Sequence, residues 1–400
     1  MPADREPGRR PRRRDRATEN DMKTRSAGPW RAALAVAVML VWLPTATWAG
    51  STVLTAQKIQ AIRGLVSAAM KSHGAPGATF AVGLGGKVVW AEGFGLADLE
   101  NRTPAGPDTA YRTASIGKSM LATAAMQLAQ QGKLDLDAPI QTYCPRFPAK
   151  PWPITARDLI SHTSGIRHYG GPNEQAELFN TRHYDNASDA LDIFKDDPLK
   201  QQPGADYLYS TWGYVTLGCV VEGASHEALR PFMQRVIFDP AGMSRTRDDD
   251  PRAIIPNRAR GYVLDGGVLK NSRAVDMSSK LAAGGWITTA PDLVRFMNTW
   301  MAGTYLSQTS MTEMLTPYVL PRHGGTVDGF GLGWAVDEFH GMRSGQYGGG
   351  TPQVAGIIFF IPEKRIAIAG LFNFEDIKGE DRIALVRAIA EVILGEAGKR

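Results

Sequence analysis

The chain has 400 residues, 43% hydrophobic and 21% charged, with a formal net charge of +5 at pH 7. The excess lies in residues 1–49, which hold ten Lys/Arg against five Asp/Glu; the rest carries 35 basic and 35 acidic residues. A neutral body argues against nucleic acid or an anionic membrane as partner, and the hydrophobic content suffices for a real core in one large domain or two ordinary ones.

Residues 1–21 are rich in Arg, Pro and acidic residues and read as disordered. Met22 then looks like a second start. Lys23, Arg25 and Arg31 form a positive segment, Ala32 to Leu43 is an apolar run, and Thr47-Trp48-Ala49 offers small residues for cleavage. This is the pattern of a secretory signal peptide, so translation is expected to begin at Met22 and the mature chain near Gly50, in the periplasm or outside the cell. The apolar run is short for a membrane span, and no other long one follows, so no stable membrane insertion of the mature chain is expected.

Gln57 to Lys71 reads as a helix, with Ile59, Ile62, Leu65, Val66 and Met70 on one stripe. Ala78 to Leu84 and Lys87 to Phe94 read as a hairpin across Gly85-Gly86. An apolar, Ala-rich helix follows from Ser115 to about Gln131. The stretch to residue 300 is mostly helical signal broken by Pro and Gly, including an apolar run from Val215 to Val221. Strands are expected at 330–336, 354–361 and 365–372, and a last helix at about 382–395. Strands at both ends with helices between give an α+β fold, in which the terminal strands share one antiparallel sheet.

The chemistry centres on Ser115-Ile116-Gly117-Lys118, the one Ser-x-x-Lys in the chain. Residues three apart on a helix share a face, so the Lys118 amine reaches the Ser115 hydroxyl. A free hydroxyl is a poor nucleophile and needs a base; burial and the positive helix N-terminus can lower a lysine's pKa enough to serve. The bland reading makes Ser115 an N-cap and Lys118 a solvated helix lysine. Two further segments stand out. Tyr209-Ser210-Thr211 follows a Pro203-Gly204 turn, and Tyr347-Gly348-Gly349-Gly350-Thr351-Pro352 precedes two strand-like runs, its glycines allowing close backbone approach.

In this order the three motifs resemble the class C β-lactamase and penicillin-binding-protein-like serine hydrolases. Leu159 to Ile166 (LISHTSGI), Ala283-Gly284-Gly285-Trp286 with Thr288 to Leu293, and Phe330-Gly331-Leu332-Gly333-Trp334 are similar to connecting segments of that family. The stretches Leu134 to Tyr143 and Ser164 to Tyr169 look most like its mitochondrial serine β-lactamase-like branch and bacterial relatives. The resemblance covers about residues 55 to 395. It implies a sheet lobe (about 50–112 and 325–400) flanked by helices, an inserted helical lobe (about 113–324), and a site between them, in a single domain from residue 50 to 400.

The resemblance further implies Ser115 as nucleophile, Lys118 and Tyr209 as the base pair, and an oxyanion hole from the Ser115 and Gly350 backbone N–H groups. Thr211, Tyr347, Gly348 and Gly349 are expected to bind substrate. Two positions depart from the family pattern. Thr211 replaces an Asn that contacts the acyl amide, and Tyr347 replaces a cation that helps hold a carboxylate. Peptides, amides or esters are therefore expected as substrates rather than β-lactams.

His162 is the tempting alternative base, but no Gly-x-Ser-x-Gly elbow occurs, and its segment reads as structural. Arg167, His168 and Tyr169 are candidates to line the cleft or to be incidental loop residues. No His-Glu-x-x-His, Gly-x-Gly-x-x-Gly or Walker motif is present, so no metal or cofactor is expected, and the partner is a small-molecule or peptide substrate. Cys144 and Cys219 can pair in an oxidising compartment, although Cys219 on a buried helix reads rather as a small hydrophobe. The rival to catalysis is a non-catalytic scaffold or binding protein that keeps the fold; the intact Ser115, Lys118 and Tyr209 speak against it.

Overall fold

The computed structural model describes residues 53–170, 173–318 and 329–395. The proposed restart at Met22 and the signal segment lie outside the described residues. All described residues belong to one compact unit, Ser51–Arg400.

The architecture is an eight-stranded antiparallel sheet with helices on both faces. Its strand order is Thr103–Pro104, Lys87–Asp98, Gly77–Leu84, Ile366–Phe372, Val354–Ile361, Met342–Thr351, Ala335–Phe339 and Gly329–Phe330. The N-terminal hairpin therefore joins the C-terminal strands through the Gly77–Leu84 and Ile366–Phe372 pair. The fold is the α+β arrangement that the strand positions lead one to expect.

Period-2 alternation sorts the central strands between two cores. Every residue of Val354–Ile361 is buried. Ala355, Ile357, Phe359 and Ile361 face a core with Ile62 and Val66 of the first helix (Ala56–His73) and Val386 and Ile389 of the last (Gly379–Leu394). Val354, Ile358 and Phe360 face the larger core, which holds Met120, Trp286, Trp300 and Trp334. A strand covered on both faces reads as one continuous apolar run.

Within the helical part, Thr211–Ser225 is buried almost throughout, and Ser210 caps it by accepting from Gly213 N–H at 2.8 Å. A Cβ at Gly223 would sit 1.7 Å from the Tyr143 carbonyl oxygen. Cys219 lies one turn before Gly223, on the same face, so this close approach carries it to Cys144. The two form a disulfide. The reading of Cys219 as a free small hydrophobe is thus corrected. Its helix was read rightly as buried, but the neighbour that meets it comes from a loop 75 residues away, a separation that leaves no local pattern.

Candidate active site

Ser115 does not cap its helix. It sits in a 3-10 turn, Ala114–Ile116, that leads into the Gly117–Gln130 helix, and no side chain caps either element. Ala114 has φ +44°, a conformation L-residues adopt at a cost. The turn is gripped by two glycine segments. A Cβ at Gly284 would meet the Ala114 carbonyl oxygen at 1.8 Å, and one at Gly349 would meet the Thr113 oxygen at 2.6 Å and Ser115 N at 3.2 Å. Only glycine fits at these two approaches, which is how the Ala283-Gly284-Gly285 segment and the glycine-rich strand both come to support the Ser115 turn.

The Lys118 amine is 1% exposed and 3.0 Å from Ser115 Oγ. It also meets Thr211 Oγ1 at 3.3 Å and the Ala283 carbonyl at 3.2 Å. Burial lowers its pKa from the ordinary lysine value, against a weaker opposing pull from Tyr209. In the free-amine form two N–H bonds remain for Thr211 Oγ1 and Ala283 O, and the lone pair is left for the Ser115 proton. The Tyr209 hydroxyl lies 2.6 Å from Ser115 Oγ. These three side chains form one hydrogen-bonded group, and its geometry meets the distance requirement for nucleophile and base.

A cavity of about 80 Å³ opens on this group, lined by Ser115, Lys118, Tyr209, Thr211, Lys280 and Gly350, with His168 and Tyr169 on its wall. Gly350 belongs to Met342–Thr351, which pairs with Val354–Ile361 from Gly345 to Thr351 but with Ala335–Phe339 only as far as Gln346. From Tyr347 onward that second edge has no strand partner among the described residues. Tyr347, Gly348 and Gly349 do not line the cavity. Tyr347 is buried behind Tyr209, its hydroxyl 2.9 Å from His162 Nε2.

Two histidines brace the site, and backbone donors fix their tautomers. Ser210 N–H donates to His162 Nδ1 at 3.1 Å, and Thr211 N–H donates to His168 Nδ1 at 3.2 Å. Each neutral ring therefore carries its proton on Nε2. His162 consequently donates to the Tyr347 hydroxyl. Its ring packs on Tyr209 at 4.5 Å, so it joins the second motif to the third. Burial holds His162 well below the usual histidine range, with Lys118 and His168 adding to the effect. Burial, Lys118 and Arg167 bring His168 down to about 4. Arg167 does not line the cavity; it pairs with Glu177 and Asp197.

Sequence reasoning passed over Lys280 and the Ala283 carbonyl. The signal for Lys280 was available in Ser278-Ser279-Lys280-Leu281-Ala282-Ala283, a lone cation next to a glycine motif in apolar surroundings. Among the described residues no group of His, Cys, Asp and Glu could hold a metal ion, and no helix is long and apolar enough to cross a membrane.

A family model described as Beta-lactamase matches residues 62–391. The chain is 32% identical to the serine beta-lactamase-like protein LACTB, mitochondrial, of Homo sapiens, covering 77% of this chain and 73% of that protein. Its Mus musculus counterpart is 34% identical, with 66% and 61% covered, so the chain spans under two thirds of the mouse protein's length. Among solved structures, the octameric penicillin-binding protein homologue from Pyrococcus abyssi superposes with a TM-score of 0.74 at 26% identity, over 84% of this chain and 77% of that one. The D-amino acid amidase from Ochrobactrum anthropi SV3, complexed with L-phenylalanine, gives 0.73 at 25% identity, over 85% and 99%.

Proposed function

From the premise that the chain belongs to the Beta-lactamase family, whose fold serves serine hydrolases, we propose that it is an exported hydrolase forming an acyl-enzyme on Ser115. The observation that carries the reading is the triangle of Ser115, Lys118 and Tyr209 on one cavity, with the lysine buried and free of any ion pair among the described residues. Lys118 as free amine takes the Ser115 proton while Oγ attacks the substrate carbonyl. Tyr209, 2.6 Å from Oγ, passes a proton to the leaving group. Lys118 restores the proton of Tyr209; water then attacks the ester on Ser115 and gives its own proton to the pair, which hands one to Oγ as the acyl–oxygen bond breaks.

The developing oxyanion is assigned to the N–H groups of Ser115 and Gly350. The packing of Gly349 against Ser115 N and the place of Gly350 on the cavity support this. Peptides, amides or esters are the proposed substrates, with an esterase or peptidase reading ahead of a β-lactamase. Thr211 is shorter than asparagine and has no amide to offer the acyl group. The amidase likeness points the same way. Export is supported by the disulfide, which suits an oxidising compartment.

Intact-mass analysis after exposure to a fluorophosphonate probe tests the reading. One adduct, mapped to Ser115, is expected. No adduct, or one mapped to another serine, would overturn the mechanism and return the chain to the scaffold reading.

A further inference from the structure

The cavity contains a second lysine that this mechanism does not use. Lys280 is 2% exposed and shares the cavity wall with Ser115, Tyr209 and Gly350. Its ammonium donates to two backbone carbonyls, Glu177 O at 2.8 Å and Leu178 O at 3.1 Å. It also lies 5.4 Å from the centre of the Tyr169 ring. The acidic side chains around it are committed to other partners. The Glu177 carboxylate receives two bonds from Arg167, each 2.8 Å, and one from Trp212 Nε1 at 3.2 Å. Asp276 takes His183 Nδ1 at 2.7 Å and Ser278 N–H at 2.8 Å. Among the described residues Lys280 has no ion pair.

A buried ammonium without a counter-ion is costly. Donating to Glu177 O and Leu178 O, at the end of the Glu174–Leu178 helix, uses two of its three N–H bonds; among the described residues the third has no acceptor and the charge no counter-ion, on a side chain that lines the cavity. We propose that Lys280 is a specificity-determining residue that binds a carboxylate of the substrate while Ser115 attacks the carbonyl. The inference rests on the reading of Ser115 as nucleophile. It names the substrate class as an ester or amide bearing a free carboxylate, since Ser115 and Lys280 line the same cavity. The third motif supplies no cation, and Lys280 supplies one from another wall.

The charge on Lys280 is titratable in a useful range. Burial and the Arg112 guanidinium lower its pKa to about 8, while Glu177 and Asp276 oppose them. The other titratable groups on the cavity are Lys118, which burial favours as the free amine, Tyr209, His168, neutral above about 4, and Tyr169, whose phenol burial keeps protonated. Preference for a carboxylate should therefore be greatest well below pH 8 and fall as pH rises through it.

The test compares phenol release from the phenyl monoesters of glutaric and adipic acid with release from the same compounds capped as methyl esters. Wild type should favour at least one free carboxylate by about tenfold or more in kcat/KM at pH 7, and that ratio should fall towards one by pH 10. Lys280→Gln keeps donors for the two carbonyls and loses the charge. It should abolish the ratio, slowing the free carboxylates about tenfold more than the capped esters, and still take the fluorophosphonate on Ser115. A wild-type ratio near one, or a ratio that survives Lys280→Gln, overturns the inference. Equal losses on free and capped esters would mean a structural role only, and overturn it too. Should the variant not fold, the pH dependence of the wild-type ratio decides alone. Should wild type hydrolyse neither ester, protection of Ser115 from labelling decides: glutarate must protect better than glutaric diamide. Labelling of Ser115 without these effects refutes the role of Lys280 and spares the nucleophile, whereas an unlabelled Ser115 removes both.

Discussion

Among the described residues Lys118 has polar neighbours but no carboxylate partner, and that decides its working form. An ammonium in this position gains three hydrogen bonds yet stays buried without a counter-charge, so burial favours the free amine. The acid limb of kcat/KM should accordingly rise through a pKa below the ordinary lysine value of 10.5; a limb at 10.5 or none at all in the pH profile would refute Lys118 as base. Ser115→Ala should lower turnover by about three orders of magnitude or more. It should change stability by less than about 1 kcal/mol, because Oγ caps no helix. Lys118→Ala and Tyr209→Phe should each be severe, and the double variant little worse than the harsher single one, since residues acting as a unit are not additive; additive losses would mean separate roles. Stability carries its own pH signature. His162 and His168 refuse in the fold a proton that the unfolded chain takes up near 6.5. Stability is therefore complete above 6.5 and declines as pH falls below it, and a melting temperature unchanged from pH 7 to 5 would contradict the buried neutral pair. Ser115 and Lys118 were legible because their geometry is local, one helical turn. Lys280 left a weaker signal, a cation beside a glycine motif, because a lysine among apolar residues looks the same in sequence whether it reaches solvent or a cavity.

The long elements show the same division. The first helix, expected over Gln57 to Lys71, runs Ala56–His73, with Thr55 capping it and Gly74 ending it in the left-handed region. The strands expected at 354–361 and 365–372 lie at Val354–Ile361 and Ile366–Phe372. Each has enough residues to display its period. Tyr111–Arg112, Trp286–Thr288 and Arg247–Asp248 pair into a second small sheet, and strands of two or three residues are too short to leave a pattern. The run expected as one strand over 330–336 is two, Gly329–Phe330 and Ala335–Phe339, paired antiparallel across a tight reversal at Gly333, φ +81°. The disulfide between Cys144 and the Thr211–Ser225 helix ties the second-motif helix to the loop beneath it. Closing a loop with 75 residues of separation constrains the unfolded chain by about 4 kcal/mol in the chain-entropy account. Replacing both cysteines by alanine should therefore lower unfolding free energy by several kcal/mol in denaturant titrations while leaving fluorophosphonate labelling of the folded fraction intact. An unchanged midpoint would show that the bridge contributes nothing.

At the scale of the molecule the charge distribution frames the address. Once residues 1–49 are set aside, acidic and basic residues balance, so the basic character of the chain belongs to that segment. The LACTB relatives carry a mitochondrial designation, whereas Met22, the positive segment after it and the apolar run from Ala32 to Leu43 have the layout of a secretory signal. Five acidic residues within residues 1–21 fit poorly with a mitochondrial transit peptide, which is acidic-poor. The disulfide adds a physical link between address and stability, since it forms in an oxidising compartment and not among reduced thiols. Expression of the gene in a host with a periplasm should therefore yield a mature chain that begins near Gly50 and contains the Cys144–Cys219 bridge. The same chain held in the reducing cytoplasm should show two free thiols and lower stability, by about the several kilocalories that the bridge contributes. N-terminal sequencing and thiol counting on the two preparations decide it. Recovery of residues 1–21 on the exported protein would refute both the start at Met22 and the cleavage. Oxidised cysteines in a cytoplasmic preparation would separate the disulfide from the address and leave export without its structural support.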